Sequence, residues 1–273
     1  MMIQADTITH NGATVDMSFA EIGSAGNALD TTTGYGEVGY NYRIGKYEVT
    51  KAQWDTVATS AGISESGAWS GSQPVASLSW YEAAQFCNWL TSGNKYLGAY
   101  QFDGNGTLTN VNRIAAAVYG TVYVLPTEDE WYKAAYYTES GYSRYANGMD
   151  TPPVAGTDAN YNNPAGSPWN VGSGMIEQNG TYDMMGNVWE ICESALDGTL
   201  NDVTEYRLAR GGSFGSTPDR LDPQDPDARW ELDPVSEADY IGFRVASIPE
   251  PASAILVFLC SAAGFWIRRR FID

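Results

Sequence analysis

The chain has 273 residues, enough for one large domain or two small ones, and a hydrophobic fraction of 43% supports a buried core. Its 33 acidic and 15 basic residues give a formal charge of −18, which argues against a phosphate-binding surface and so excludes nucleic acid as a partner. Such a charge serves solubility or the binding of divalent cations.

Three amphipathic helices are predicted from capping signals. Each signal has a hydroxyl side chain at the N-cap and a Glu or Gln three residues later, so that both side chains satisfy free backbone donors. The signals are Thr50-Lys-Ala-Gln53, Ser79-Trp-Tyr-Glu82 and Thr127-Glu-Asp-Glu130. An apolar stripe follows each one and stops before Gly62, Gly93 or Gly141, so we expect helices of about three turns whose stripes pack in the core.

Extended and irregular segments lie between and after these helices. Alternation over residues 40–49 and an apolar run over residues 122–125 predict two strands. Residues 103–107 have the opening of an EF-hand loop, but its twelfth position is Ile114 instead of Glu, so we predict a hairpin turn. Residues 147–180 are rich in Gly, Pro and Asn without periodicity, which predicts an ordered coil.

The C-terminal segment differs in composition from the rest of the chain. Sixteen residues without a charge, 252–267, are followed by three arginines, 268–270. A helix of that length rises roughly 24 Å, against a hydrocarbon core of about 30 Å, and snorkelling arginines with Trp266 make up the difference. We expect a membrane helix with its arginines in the cytoplasm. A buried core helix is the alternative for so short a run.

The order Pro-Glu-Pro (residues 249–251), short apolar helix and arginine cluster is similar to the PEP-CTERM sorting signal of Gram-negative bacteria. This resemblance implies an exosortase-type processing enzyme as a partner, a membrane tether, and a final location at the cell surface or outside the cell. Residues 1–30 contain neither a basic nor an apolar export segment, so we expect a start further upstream or a trimmed chain. We divide the sequence into an extension (1–16), a domain (17–247) and a sorting tail (248–273).

The three cysteines, Cys87, Cys192 and Cys260, are far apart and form no Cys-x-x-Cys pair, which argues against a zinc or redox motif. A disulfide between Cys87 and Cys192 and two buried free thiols are both compatible with the sequence. His10 is the only histidine, which argues against histidine metal clusters and serine triads.

Six successive signatures resemble those of the formylglycine-generating enzyme (sulfatase-modifying factor) family, over residues 17–247. They are Ile44-Gly-Lys-Tyr-Glu-Val-Thr50, Pro74-Val-Ala-Ser-Leu-Ser-Trp80 with Ala83-Ala-Gln-Phe-Cys-Asn-Trp89, Leu125-Pro-Thr-Glu-Asp-Glu-Trp131, Tyr182-Asp-Met-Met-Gly-Asn-Val-Trp-Glu190, Arg210-Gly-Gly-Ser-Phe214 and Gly242-Phe-Arg244. The resemblance implies an α+β fold: a single C-type-lectin-like domain with a few helices, a twisted antiparallel sheet and much irregular structure, here followed by the C-terminal hydrophobic helix.

The same resemblance implies a calcium site. Asp183 and Glu190 would supply carboxylate oxygens, and Gly186 and Val188 would supply carbonyl oxygens, which are ligands that calcium prefers. The alternative is that Asp183 caps a turn and Glu190 pairs with an arginine. A second calcium site of the family would fall at Asn160 and Tyr161, although its remaining carboxylate has no clear counterpart in this sequence.

The family's oxidation chemistry uses two cysteines that bind copper(I), and Ser216 and Leu221 stand in those two places. Hydroxyl and alkyl groups do not bind this soft ion as thiolates do, so we do not expect a copper cofactor. Cys87 is where some relatives have a disulfide-bonded cysteine, but the partner position holds Val245. The iron-dependent branch of the same fold needs several histidines, which this sequence lacks.

These observations predict a non-catalytic, calcium-supported lectin-like domain that is exported. Its ligand, a protein or a glycan, would bind in a cleft near Trp189, Arg210, Ser213 and Arg244. The alternative is a formylglycine-generating oxidoreductase that acts on sulfatase-type cysteine peptides. A third hypothesis is a structural component of an extracellular matrix with no discrete ligand.

Overall fold

The computed structural model describes residues 4–64, 68–113, 116–163, 165–197 and 205–248. The expected C-terminal helix, the Pro-Glu-Pro segment and Cys260 lie outside these ranges. No helix within them is both long and apolar enough to cross a bilayer.

The described residues form short strands and a few helices. The strands are β1 (Gln4–His10), β2 (Ala13–Ile22), β3 (Tyr42–Gly45), β4 (Tyr100–Phe102), β5 (Leu108–Val111), β6 (Val122–Val124), β7 (Tyr137–Thr138), β8 (Gly141–Tyr142), β9 (Trp189–Ala195), β10 (Arg207–Arg210), β11 (Trp230–Leu232), β12 (Ile241–Gly242) and β13 (Ala246–Ile248). The helices are α1 (Lys51–Ala61), α2 (Trp80–Ser92), α3 (Ala116–Tyr119) and α4 (Glu128–Tyr136), with 3₁₀ turns at Pro218–Leu221 and Pro226–Ala228.

Two sheets organise these strands. The larger sheet is antiparallel, with the order β1-β2-β3-β13-β6. The smaller sheet has the order β11-β10-β9-β12, and β12 runs parallel to β9. Two small hairpins, β4-β5 and β7-β8, complete the pairing of the described strands. The smaller sheet places the start of β9 beside the ends of β10 and β12. The candidate functional site lies around these strand ends.

Residues 4–16, which were predicted to be an extension, form part of the larger sheet. Strands β1 and β2 are joined by Asn11 and Gly12, which both have positive φ, 52° and 81°. That conformation suits a two-residue hairpin turn, for which Asn-Gly is the preferred sequence. Ile8 and Val15 on this hairpin are buried in the core.

All three predicted capping boxes are confirmed, at Thr50, Ser79 and Thr127. Helices α1 and α2 end at left-handed Gly62 and Gly93, as expected. The third prediction placed the helix end too late, because α4 stops at Tyr136 and the extended Tyr137 starts a strand.

The helices pack onto the sheets through aromatic side chains. Trp54 of α1 stacks on Phe86 of α2, with ring centroids 5.7 Å apart and planes 4° apart, and Phe243 contacts both rings edge-on. Stacked and edge-on pairs are the favoured geometries of aromatic rings. Phe243 lies next to Arg244, so this core fixes the backbone that presents Arg244.

The remaining predicted elements are present in the structure, although one strand is shorter than predicted. The strand predicted over residues 40–49 is shorter, at residues 42–45, while β6 is buried as expected. Residues 103–107 connect β4 to β5, which confirms the hairpin turn. Residues 147–180 hold no strand in their described part apart from an isolated bridge between Ala155 and Ala159, so the predicted coil is confirmed. The fold is thus a mixed α and β fold with much irregular backbone.

Candidate functional site

The turn over residues 182–190 has an unusual backbone. Asp183, Gly186 and Asn187 all have positive φ, at 62°, 93° and 62°. A Cβ atom on Gly186 would lie 2.3 Å from the carbonyl oxygen of Asn160, so only glycine fits there. Non-glycine residues at positive φ are strained, and surrounding contacts must stabilise this conformation.

Replacing Gly186 with alanine should therefore lower the unfolding free energy by at least about 2 kcal/mol, from strained φ and a clash with backbone. The matched control is Gly39→Ala, where a Cβ would meet no atom within 4 Å and φ is not positive. Urea denaturation of the three proteins measures the difference. Equal stability of the two variants would contradict the requirement for glycine.

Glu190 at the end of the turn forms a buried ion pair with Arg244. The Arg244 guanidinium donates to both carboxylate oxygens of Glu190, with Nε to Oε2 at 2.5 Å, and Trp131 Nε1 donates to Oε2 at 2.7 Å. Both charged side chains have 0% exposure. Arg244 also donates to the carbonyls of Gly45 and Tyr182, at 2.9 Å each. This pairing is the alternative that the sequence left open for Glu190.

Three further buried carboxyl groups surround the same guanidinium. Glu48 has one oxygen, Oε1, without a hydrogen-bond partner, while Oε2 accepts from Asn187 Nδ2 at 3.2 Å. Asp183 accepts from Gly172 N at 2.6 Å, and Glu177 accepts from Thr181 Oγ1 at 3.0 Å. We call Glu48, Asp183, Glu177, Glu190 and Arg244 the buried acidic cluster.

Burial raises the pKa of each of these three carboxyl groups. The pKa of Asp183 rises to about 6 and that of Glu177 to about 8, because both side chains are desolvated and Arg244 offsets only part of the effect. Burial, with the charges of Asp183 and Glu190, raises the pKa of Glu48 well above its usual value. The cluster therefore has more acidic groups than positive charge.

The residues expected at the second calcium site lie against the same turn. The Asn160 carbonyl accepts from Asn187 N at 2.8 Å, and Asn160 Nδ2 donates to Asn187 Oδ1 at 3.1 Å. The Tyr161 hydroxyl points elsewhere, to the carbonyl of Pro153 at 2.5 Å. The structure thus brings Asn160 to the turn through hydrogen bonds between amide groups.

A calcium ion at this turn would have some suitable ligands and lack others. An unpaired buried oxygen on Glu48 and the carboxylate of Asp183 are hard donors of the right kind. Glu190, in contrast, already uses both oxygens. Within the described ranges, no three His, Cys, Asp or Glu side chains are placed to hold one metal ion. Main-chain carbonyls, such as those of Gly186 and Val188, would have to complete the coordination.

Arg210, predicted to lie near a ligand cleft, has 2% exposure and lines a small pocket of about 410 Å³ beside Tyr35 and Arg229. Its Nε donates to Glu128 Oε1 at 2.8 Å, and Arg229 Nε contacts the same oxygen at 2.9 Å. The guanidinium lies 4.8 Å from the ring centroid of Tyr35. Arg210 therefore ties β10 to the start of α4. Neither Arg210 nor Arg244 lines the larger cleft that contains Trp189 and Ser213, and each is paired with a buried glutamate.

A cleft of about 790 Å³ lies at the end of the turn, where Trp189 is part of its wall. Trp189 and Ser213 line it, as expected from the sequence. The further residues of this cleft are Ala165, Gly166, Phe214, Gly215, Ser216, Thr217, Arg220, Trp230, Asp239 and Tyr240. We call it the aromatic cleft. Its volume is in the range of small-ligand sites.

Of the two places where the family has copper-binding cysteines, Ser216 lines this cleft and Leu221 lies in the core beside it. Ser216 Oγ accepts from the backbone N of Ser213 at 2.8 Å, so the hydroxyl closes its own turn. Leu221 has 1% exposure and packs in the core, where a Cβ on Gly212 would lie 3.1 Å from it. Elsewhere in the described part of the chain, Cys87 and Cys192 are both buried free thiols, and burial raises the pKa of each.

The family model described as "Sulfatase-modifying factor enzyme 1-like domain" matches residues 21–248. The chain belongs to this family. The match includes the smaller sheet, the buried acidic cluster and the aromatic cleft, and it begins near the end of β2 in the larger sheet.

Similar proteins support the same fold. The chain is 28% identical over 200 residues to "Chaperone protein LppX" of Paenibacillus barcinonensis, which covers 65% of this chain and 70% of that protein. Among solved structures, it is similar to Treponema denticola variable protein 1, with a TM-score of 0.65, 21% identity and coverage of 90% and 99% of the two chains. CarF gives a TM-score of 0.61 at 21% identity, covering 84% and 97%. PvdO from Pseudomonas aeruginosa gives 0.54 at 17%, covering 90% and 92%.

Several important residues of this sulfatase-modifying-factor domain were missed by sequence reasoning. Glu48 belongs to a recognised Glu-Val-Thr signature, yet its burial beside Arg244 follows from the fold alone. Trp230, Asp239 and Tyr240 lie in a segment that the sequence left without a predicted element. The sequence signal for Trp230 and Tyr240 was the high aromatic content of 13%, and Asp239 had none.

Proposed function

We propose that this sulfatase-modifying-factor domain is a non-catalytic binding domain whose ligand occupies the aromatic cleft. The observation that carries this proposal is the cleft itself, lined by Trp189, Phe214, Trp230 and Tyr240 with a few polar groups. Concave sites with aromatic walls and few polar groups are typical of ligand binding.

The side chains at the copper positions favour binding over oxidation. Copper(I) needs soft thiolate or thioether ligands, and the chain has a serine and a leucine at these places. Ser216 Oγ is engaged with Ser213 N, and Leu221 is packed in the core. Neither side chain is a ligand for a soft ion, so the proposal includes no copper step.

We also propose that calcium supports the turn behind the cleft. Asp183, Gly186 and Val188 would be its ligands, with Asn160 and Tyr161 beside them, and the unpaired Glu48 oxygen is the observation in favour. The turn connects directly to the cleft, since Phe214 N donates to the carbonyl of Asn187 at 2.8 Å. A cation that fixes the turn would thereby fix one wall of the cleft.

The calcium proposal predicts a thermal shift. Millimolar calcium should raise the Tm of the chain, and Asp183→Asn should remove most of that rise, because the amide keeps the shape but not the charge. The matched control is Asp103→Asn, in the exposed turn that resembles the opening of an EF-hand loop. An unchanged calcium response in Asp183→Asn would refute the assignment, as would its loss in the control.

Export is proposed from the sequence of the tail. The Pro-Glu-Pro segment, the apolar run and the arginines support membrane tethering, processing by an exosortase-type enzyme, and release to the cell surface. The domain would then meet ligands outside the cell.

In the central experiment, the chain is incubated with a sulfatase-type cysteine peptide, copper(I) and oxygen. Mass spectrometry then measures aldehyde formation on the peptide. We expect no aldehyde, because the ligand positions for copper hold Ser216 and Leu221. Formation of formylglycine would overturn the proposal and support the oxidoreductase alternative.

A further inference from the structure

The aromatic rings of the cleft form a platform whose solvent exposure increases from its base to its rim. Trp230 and Tyr240 stack with centroids 5.7 Å apart and planes 24° apart, and Trp189 meets Trp230 edge-on at 5.5 Å. Trp189 at the base has 5% exposure, Trp230 is half-buried, and Tyr240 at the rim has 37%. Ring surface is thus open to a ligand at the rim, while the base is packed.

Main-chain pairing holds this platform in place. Trp189 N donates to the carbonyl of Tyr240 at 2.8 Å, and Ile241 of β12 pairs with Trp189 of β9. Trp69 Nε1 donates to the carbonyl of Asp239 at 2.6 Å and holds the segment from outside. A platform built on paired strands loses little freedom when it binds, which favours affinity.

Polar groups border the rings. Ser213, Thr217 and Asp239 line the same cleft; the two hydroxyl groups can donate and accept hydrogen bonds, and the Asp239 carboxylate accepts them. A pyranose ring has the matching chemistry, because its C–H face packs on an aromatic ring while its hydroxyl groups form hydrogen bonds at the edge. Aromatic rings with polar groups beside them combine both interactions.

The charge around the cleft selects among saccharides. Arg220 is the basic side chain that lines it, and its Nη2 lies 3.3 Å from Asp227 Oδ2, so its charge is partly neutralised. Asp239 lies in the cleft, and the chain carries a net charge of −18. An acidic saccharide would meet repulsion from this surface, whereas a neutral one would not.

The strands beside the cleft do not suit an extended peptide. Strands β11 and β12 are the edges of the smaller sheet, and they have three and two residues. Recognition by strand addition relies on main-chain hydrogen bonds along an exposed edge, and these edges are too short to provide many.

From the stacked platform, its polar border and the acidic surroundings, we infer that the aromatic cleft binds a neutral hexopyranose oligosaccharide. The inference rests on the proposed function of the cleft as a binding site and specifies its ligand class. Trp230 and Tyr240 supply the stacking surface, and Ser213, Thr217 and Asp239 orient the hydroxyl groups.

The test uses calorimetric titration of the full chain, in a detergent without a sugar headgroup, with three neutral probes: cellohexaose, maltohexaose and chitohexaose. At least one should bind, and hexagalacturonate should bind at least about tenfold more weakly because of its charge. Trp230→Ala and Tyr240→Ala should each weaken binding by about tenfold or more, since each removes a ring of the stacking surface. Tyr240→Phe should retain affinity because it keeps the ring.

The matched control is Tyr206→Ala, which removes an aromatic side chain that is 50% exposed and lies outside the cleft. It should leave the affinity unchanged. Circular dichroism of each variant checks the fold, and Tyr240 at the exposed rim provides a readout if Trp230→Ala does not fold.

The outcomes separate this inference from the proposed function. Absence of binding to all three neutral probes, binding that survives Tyr240→Ala and Trp230→Ala, or equal binding of hexagalacturonate would each overturn the saccharide inference. Binding of the cysteine peptide instead, without oxidation and with loss in Tyr240→Ala, would overturn the saccharide but keep a binding cleft. Oxidation of that peptide would overturn both.

Discussion

Replacing Arg244 with methionine should lower the unfolding free energy by about 3–5 kcal/mol, the usual effect of removing one partner of a buried ion pair. The methionine keeps most of the volume but leaves Glu190 without its guanidinium. Glu48, Glu177 and Asp183 lose the same charge, because Arg244 is the positive group that offsets each of them. Urea denaturation in the presence of a chelator measures the loss without any contribution from bound metal.

The matched control is Arg220→Met, the same substitution in an exposed ion pair. Arg220 and Asp227 have 37% and 63% side-chain exposure and an Nη2–Oδ2 distance of 3.3 Å, so the loss should stay below about 1 kcal/mol. Similar losses in both variants would show that the buried pairing with Glu190 is not a main source of stability. The double variant Arg244→Met/Glu190→Gln should recover part of the loss, because it removes the stranded charge.

Local signals in the sequence predicted local structure well. The capping boxes at Thr50, Ser79 and Thr127 located three helix starts, because a cap depends on residues only three positions apart. The hairpin of β1 and β2 carried an equally local signal, Asn11-Gly12 between alternating apolar residues, which sequence reasoning overlooked. The end of α4 carried no such signal, since no glycine closes it and Tyr137 simply turns extended.

The site was harder to predict because its contacts join distant segments. The sequence identified Glu190 and Arg244 as important but placed Arg244 in a cleft, whereas the two residues pair inside the protein. Arg210 likewise pairs with Glu128, 82 positions away. The aromatic cleft combines Trp189 of β9, Trp230 of β11 and Tyr240 of the turn before β12. No periodic pattern in the sequence indicates that these three residues lie together.

The buried acidic cluster and the aromatic cleft share one piece of backbone. The turn that carries Asp183 continues into Trp189 at the base of the cleft, and Asn187 contacts both Glu48 in the cluster and Phe214 in the cleft wall. Asn187 thus provides a direct hydrogen-bonded connection between the cluster and a wall of the cleft. Stability of the cluster and ligand affinity should vary together when pH or calcium changes.

The pH dependence of stability should be set largely by Glu177, whose pKa is raised by burial from 4.5 to about 8. Below pH 4.5 both the folded and the unfolded chain bind this proton. Between pH 4.5 and 8 only the folded chain keeps it, so raising the pH lowers stability, by roughly 4 kcal/mol across that window. Asp183 and Glu48 have raised pKa values as well and act in the same direction.

Glu177→Gln should flatten this dependence, because the amide keeps an acceptor for Thr181 and Met184 N but has no proton to lose. The variant should be more stable than the parent at pH 8 and close to it at pH 4.5, in urea denaturation with a chelator present. Glu37→Gln, at an exposed position, is the control for removal of a negative charge and should leave the slope unchanged. A parent protein whose stability rises between pH 4.5 and 8, or a variant with the parent's slope, would show that Glu177 is not held protonated in the folded state.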